Sequence, residues 1–242
     1  MARVPDLIWV GPPQAALAAL ASTRTIPIVF FSASNVVERG LVKTLARPGG
    51  NVTGVQPTGW ELGGKRLQLL KQAMPKIIRV GMLVDPRPDS TSTRELKVIE
   101  KAAATLGLTV IPEMAKGAGE FDVAIASLVK RRIEALLVTT NPYFMDQRKR
   151  ILELAASRRL PVVGFQSEFT DDGALMSYNS LLRDQVRRYA QIVDKILKGA
   201  KLADIAVELP TTFELVVNQR TARELGITIP GEIMLQATRV IE

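Results

Sequence analysis

The chain has 242 residues, 47% apolar and 23% charged. This is the balance of a folded globular protein rather than a disordered or fibrous one, and the length suits one large α/β domain or two small lobes. It holds no cysteine and no histidine, which removes thiol nucleophiles, imidazole bases, disulfides and nearly every zinc site. The net charge of +8 admits a polyanionic partner. However, the pairs Arg131–Arg132, Arg158–Arg159 and Arg187–Arg188 fall in separate helical segments where outward arginines solvate a helix, so no nucleic acid partner is expected.

In chain order, Met1 to Asp6 carry arginine, proline and aspartate where a secretory signal needs an apolar run, so no export signal is read in the sequence as written. No segment reaches the roughly 18 apolar residues of a membrane span. Strands are predicted at 6–10, 26–31 and 51–55, the last opening on an Asn51-Val52-Thr53 sequon that reads as coincidence inside a strand. A helix follows, with Leu67, Leu70 and Met74 on one stripe and a stop at Pro75. After a strand at 80–84, Leu96, Ile99, Ala103 and Leu106 mark a helix ending at Gly107. Strands at 108–111, 135–139, 161–165 and 175–178 come next. The stripe Val186, Tyr189, Ala190, Val193, Ile196 and Leu197 then marks a helix before Gly199. An extended piece at 208–218 and a short helix to Gly226 close the series. Short apolar runs alternating with amphipathic helices indicate an α/β fold with parallel sheets covered on both faces.

Gly59-Trp60-Glu61-Leu62-Gly63-Gly64-Lys65-Arg66 approaches a phosphate-binding loop but has Arg66 where a magnesium-holding Ser or Thr belongs. Gly63 and Gly64 read instead as close-packing positions at a helix start. No Gly-x-Gly-x-x-Gly follows a strand, which leaves a dinucleotide unsupported. Glu168, Asp171 and Asp172 read as a solvated turn rather than a metal or acid–base centre. What remains is a ring of loops at the carboxyl ends of strands, where such sheets bind ligands. Small polar groups there stand beside Trp60, Tyr143, Phe144 and Tyr178, and no nucleophile and base are paired.

The run Gly40-Leu41-Val42, Leu45-Ala46-Arg47-Pro48-Gly49-Gly50-Asn51-Val52-Thr53-Gly54, together with Gly64-Lys65-Arg66-Leu67, Asn141-Pro142, Leu175-Met176-Ser177-Tyr178 and Ile196-Leu197-Lys198-Gly199-Ala200, resembles the ABC-transporter substrate-binding proteins of the type I periplasmic fold, in the branch that includes aromatic amino acid binders. The resemblance implies two Rossmann-like lobes with parallel sheets joined by a hinge and closing on a small molecule. It also implies ABC permease subunits as partners, and a periplasmic or extracellular lipid-anchored location. Against that family, Asn35-Val36 replaces a usual Asp-Pro, Asp85 a frequent Asn, and Asn141 a frequent Asp. About two strand–helix units that precede residues 6–10 in the family are missing, so an amino-terminally truncated first lobe is expected.

The expected division is 1–57 plus 174–200 for an incomplete first lobe, and 58–173 plus 201–242 for the second. Ligand contacts are expected from Ser32, Asn35, Asp85, Asn141, Tyr143, Glu168, Tyr178 and Asn179. Ser32 and Asn35 would hydrogen-bond the ligand, Asp85 or Glu168 would meet an ammonium, and Tyr143 or Tyr178 would cover an apolar part. No catalytic residue, cofactor or metal is expected. The rival readings are an effector-sensing domain of a transcription regulator, because fold does not fix function, and a Rossmann-type enzyme using the acidic loop.

Overall fold

The computed structural model describes residues 4–11, 13–31, 36–87 and 90–242. The chain divides into two compact units, Met1–Thr58 with Ser180–Phe213, and Gly59–Asn179 with Glu214–Glu242.

In the first unit, β1 (Ile8–Val10), β2 (Ile28–Phe31) and β3 (Val52–Val55) form a parallel sheet in the order β1-β2-β3, with α1 (Pro13–Ser22) linking the first two strands. Side chains alternate across a strand. Ile28 and Phe30 therefore enter one cluster with Ala16, Leu41 and Val42. Val29 and Phe31 enter another with Ile192 and Ile196 of α8 (Leu182–Leu197). Burial on both faces is why β2 reads as an unbroken apolar run. Asn51 of the sequon is buried, its amide donating to Ile26 O at 2.8 Å and Thr23 O at 3.2 Å. Arg188 is more than an outward solvating charge: its guanidinium donates to Glu208 at 3.1 Å and Thr211 at 2.6 Å.

The second unit carries a seven-stranded sheet in the order β10-β9-β8-β7-β6-β4-β5. Its strands are β4 (Arg79–Val84), β5 (Thr109–Met114), β6 (Ala135–Val138), β7 (Val162–Gly164), β8 (Met176–Ser180), β9 (Phe213–Asn218) and β10 (Arg239–Ile241). Val80 and Met82 of β4 and Ala135 and Leu137 of β6 face α2 (Gly63–Ala73), α3 (Ser92–Leu106), α9 (Gln219–Leu225) and α10 (Gly231–Gln236). Leu83, Leu136 and Val138 face the opposite layer of α4 (Phe121–Lys130), α5 (Pro142–Asp146), α6 (Arg148–Ala156) and α7 (Ser167–Asp171). Helices on both faces of the sheet give the α/β layering expected from the sequence.

Four details refine the expected fold. The sheet is not parallel throughout: Asn218 N donates to Leu175 O and Leu181 N to Thr212 O, each at 2.9 Å, so β9 runs against β8. Residues 174–179, expected in the first lobe, lie in the second unit, because Met176 and Ser177 pair in register with Val163 and Gly164 of β7. Residues 201–213 lie in the first unit, tied there by the Val55–Glu208 bridge and the hydrogen bond from Gln56 N to Glu208 O. Of the acidic cluster, Glu168 and Asp171 lie on α7 and Asp172 in the turn that ends it. Asp171 pairs with Arg239 at 2.6 Å and Asp172 with Arg148 at 2.7 Å.

Candidate functional site

Ser32 and Asn35 lie outside the described residues. The other six expected contacts all belong to the second unit. They sit just past the carboxyl ends of its strands, except Tyr178 and Asn179, which lie within β8.

Asp85, one residue beyond β4, is buried and fully engaged. Its Oδ1 accepts from Arg87 N at 3.0 Å and Arg87 Nε at 2.9 Å. Its Oδ2 accepts from Arg87 Nη2 and from Asn141 Nδ2, both at 2.6 Å. Burial pushes the Asp85 carboxyl up, but the bonds from Arg87 and Asn141 together outweigh it and hold the group below its ordinary value of 3.8. An ammonium reaching Asp85 therefore has to displace a guanidinium already in place. Asn141 does two jobs. Its Nδ2 reaches Asp85, and its Oδ1 caps α5 by accepting from Tyr143 N at 2.7 Å and Phe144 N at 3.4 Å, with Pro142 at the first helical position. Tyr143 follows directly, its ring 5.7 Å beneath the Arg87 guanidinium and its hydroxyl accepting from Ala118 N at 2.7 Å. Asp85, Asn141 and Tyr143 thus form one cluster, with Arg87 as a fourth member that the sequence reading did not single out.

Glu168 stands apart from that cluster. It is exposed in the first turn of α7, where Ser167 Oγ donates to it at 3.4 Å. Tyr178 is half-buried in the middle of β8, and burial raises its phenol above the ordinary value of 10.0. Asn179 follows, its Oδ1 buried and without a hydrogen-bond partner among the described residues.

The largest element that sequence reasoning missed is Arg66. It lies on α2 with its side chain wholly buried against Glu95 of α3, also wholly buried, at 2.6 Å. The guanidinium fork also donates from Nη1 to Thr140 Oγ1 at 3.1 Å, from Nη2 to Gly59 O at 3.0 Å and from Nε to Tyr178 O at 2.8 Å. Glu95 Oε2 in turn accepts from Thr140 N at 2.6 Å. One planar cation therefore ties three strand-end segments to α3. Burial lowers the pKa of Arg66 and raises that of Glu95, each penalty opposed by the partner's charge. A signal was present in the sequence. Arg66 shares the helical face of Leu69, Leu70 and Ala73, and Glu95 that of Ile99 and Ala103, so opposite charges occupy apolar registers on two helices. Trp60 was noted in the sequence only as a loop aromatic. It sits in a single 3-10 turn directly after Gly59, and its buried Nε1 has no partner among the described residues.

Among the described residues no group of three or more acidic side chains is arranged to hold a metal ion, and no helix is long and apolar enough to cross a membrane.

Comparison with known proteins places this geometry in a family context. The model of the family described as ABC transporter substrate binding protein matches residues 1–241. A tyrosine-binding protein of Clostridioides difficile is 26% identical over 233 residues, which is 92% of this chain and 63% of the relative, so the chain spans less than two thirds of that relative's length. The ABC domain from Streptococcus pneumonia solved in complex with L-Trp has 26% identity and a TM-score of 0.82, over 99% of this chain and 82% of that one. The ligand-free, open structure of CD0873 from Clostridium difficile, a substrate binding protein with adhesive properties, has 26% identity and a TM-score of 0.76, over 98% of this chain and 78% of that one.

Proposed function

Because the chain belongs to the ABC transporter substrate binding protein family, we propose that it binds a small amphipathic solute, an aromatic L-amino acid, and delivers it to an ABC permease without chemically changing it. The family match across residues 1–241 carries this reading. The solute class is supported by relatives that bind tyrosine and L-Trp at 26% identity. Support from the chain itself is the grouping of polar side chains with Tyr143, Tyr178 and Trp60 at the carboxyl edge of the second unit's sheet. Two observations argue against an enzyme that uses the acidic loop. Asp171 and Asp172 are each paired with an arginine, and Glu168 is exposed, with Ser167 Oγ donating to it.

In this reading Tyr143 and Tyr178 supply apolar cover. The Arg87–Asp85–Asn141 cluster supplies charge, with the Arg87 guanidinium facing a solute carboxylate and Asp85 keeping that guanidinium in place. The two compact units serve as the two lobes, and the protein works outside the cytoplasmic membrane, where its permease collects solute.

Thermal unfolding with single amino acids tests the assignment. A solute at about 100 times its dissociation constant adds about 2.7 kcal/mol to folding stability. L-tyrosine or L-tryptophan should raise the unfolding midpoint, glutamate and lysine should not, and the bound solute should be recovered unchanged. A transition that none of the twenty amino acids moves would sink the solute class, and a recovered product would sink the transport reading.

A further inference from the structure

The buried Arg66–Glu95 pair has a use beyond joining two helices. The carbonyls that the Arg66 fork grips belong to Gly59 and Tyr178, at 3.0 and 2.8 Å. These are the residues immediately before Trp60 and Asn179. The two side chains carried on that gripped backbone each present a buried polar atom with no partner among the described residues, the indole Nε1 of Trp60 and the amide Oδ1 of Asn179. A buried polar atom without a partner costs stability that folding does not recover, and such atoms call for a ligand or water to explain them. One cation therefore fixes the backbone of the two segments that carry this donor and this acceptor.

We propose that Trp60 and Asn179 are the paired donor and acceptor for the backbone of an L-α-amino acid, and that Arg66, held by Glu95, is the positioning residue that sets their spacing. The inference rests on the amino acid reading above. The indole N–H only donates, so it takes a carboxylate oxygen of the solute. The amide oxygen only accepts, so it takes the ammonium. Arg66 does not touch the solute. Its charge is committed to Glu95 at 2.6 Å, and three further N–H groups donate to Thr140 and the two carbonyls. A lysine there would keep the charge and lose the fork that grips two carbonyls at once.

Titration calorimetry on the full chain tests this with three probes: L-tryptophan, tryptamine, which lacks the carboxylate, and indole-3-propionate, which lacks the ammonium. Trp60→Phe should weaken L-tryptophan about tenfold or more, the loss expected of a hydrogen bond to a charged group, and leave tryptamine unchanged. Asn179→Leu should weaken L-tryptophan similarly and leave indole-3-propionate unchanged. Arg66→Lys should weaken L-tryptophan, and adding Trp60→Phe to it should cost little more. A purely structural role would weaken all three probes together. If Arg66→Lys does not fold, the two other variants decide the matter.

Variants that bind every probe like the parent protein, or that lose all probes equally, overturn the proposal while leaving the amino acid reading intact. A parent protein that binds neither L-tryptophan nor L-tyrosine overturns that reading, and this proposal with it.

Discussion

At the scale of single residues, Asp85 and Asn141 show how a buried carboxylate is held by the groups around it. In the family this sequence resembles, the first position is frequently Asn and the second frequently Asp; here they are exchanged. A hydrogen bond joins them at 2.6 Å, Asn141 Nδ2 donating to Asp85 Oδ2. The exchange moves the negative charge next to Arg87, which closes on Asp85 through Nε and Nη2. The bonds from Arg87 and Asn141 outweigh burial and hold the Asp85 pKa below 3.8, which fixes the sign of a pH effect. A carboxyl with a depressed folded pKa contributes stability that is fully present above its unfolded pKa, and that stability is lost as pH falls through the folded value. Asp85→Asn should therefore be less stable than the parent at pH 6, and the gap should shrink as chemical denaturation is repeated toward pH 3. A gap of constant size over that range would show that the Asp85 carboxylate is not specially stabilised. The same residue scale explains why a near-match to a phosphate loop misleads. The residue that breaks the match, Arg66, is buried as an ion-pair fork, and a motif comparison records only that it is not Ser or Thr.

At the scale of elements, the pattern of apolar runs located most of the strands to within a residue or two, because strands buried on both faces read as continuous Val, Ile and Leu. The three helices called from their stripes were also found. Three features were not legible. β10 has only three residues, too few for any periodicity, and α10 precedes it with six. The reversed direction of β9 depends on hydrogen bonds to residues far away in sequence, which no local pattern encodes. Of the candidate site, polar residues beside aromatics at strand ends are visible in the sequence, but their engagement with one another is not. The close-packing reading of Gly63 can be tested directly. A Cβ there would lie 2.8 Å from Glu95 Cγ and from Ile99 Cγ1, inside the α2–α3 contact that also holds the buried ion pair. Gly63→Ala should destabilise the protein by about 1–3 kcal/mol through overpacking, seen as a midpoint several degrees lower. Gly117→Ala, where no heavy atom lies within 4 Å, is the control and should change little. Equal midpoints for the two variants would refute tight α2–α3 packing.

At the scale of the whole molecule, the two units differ in how much each can resist opening. The second unit buries a seven-stranded sheet between two helical layers, and its inner strands β4, β6 and β7 each have a partner on both edges. The first unit has a sheet of three strands, each three or four residues long. Three strands are near the minimum for independent stability, and hydrophobic stabilisation grows with the apolar area removed from water. Its β1 pairs with β2 alone among the described residues, and Trp9 on that strand is 64% exposed. An edge strand with a bare tryptophan gains little from burial and opens readily. Local opening free energies should therefore rank β1 lowest, β2 and β3 next, and β4, β6 and β7 highest. In hydrogen-exchange mass spectrometry under native conditions, peptides covering β4, β6 and β7 should exchange at least tenfold more slowly than those covering β1 to β3, since each ~1.4 kcal/mol of opening free energy is a factor of ten. Uniform protection across all of these strands would mean that the chain opens as one cooperative body, and would rule out a ranking set by sheet size.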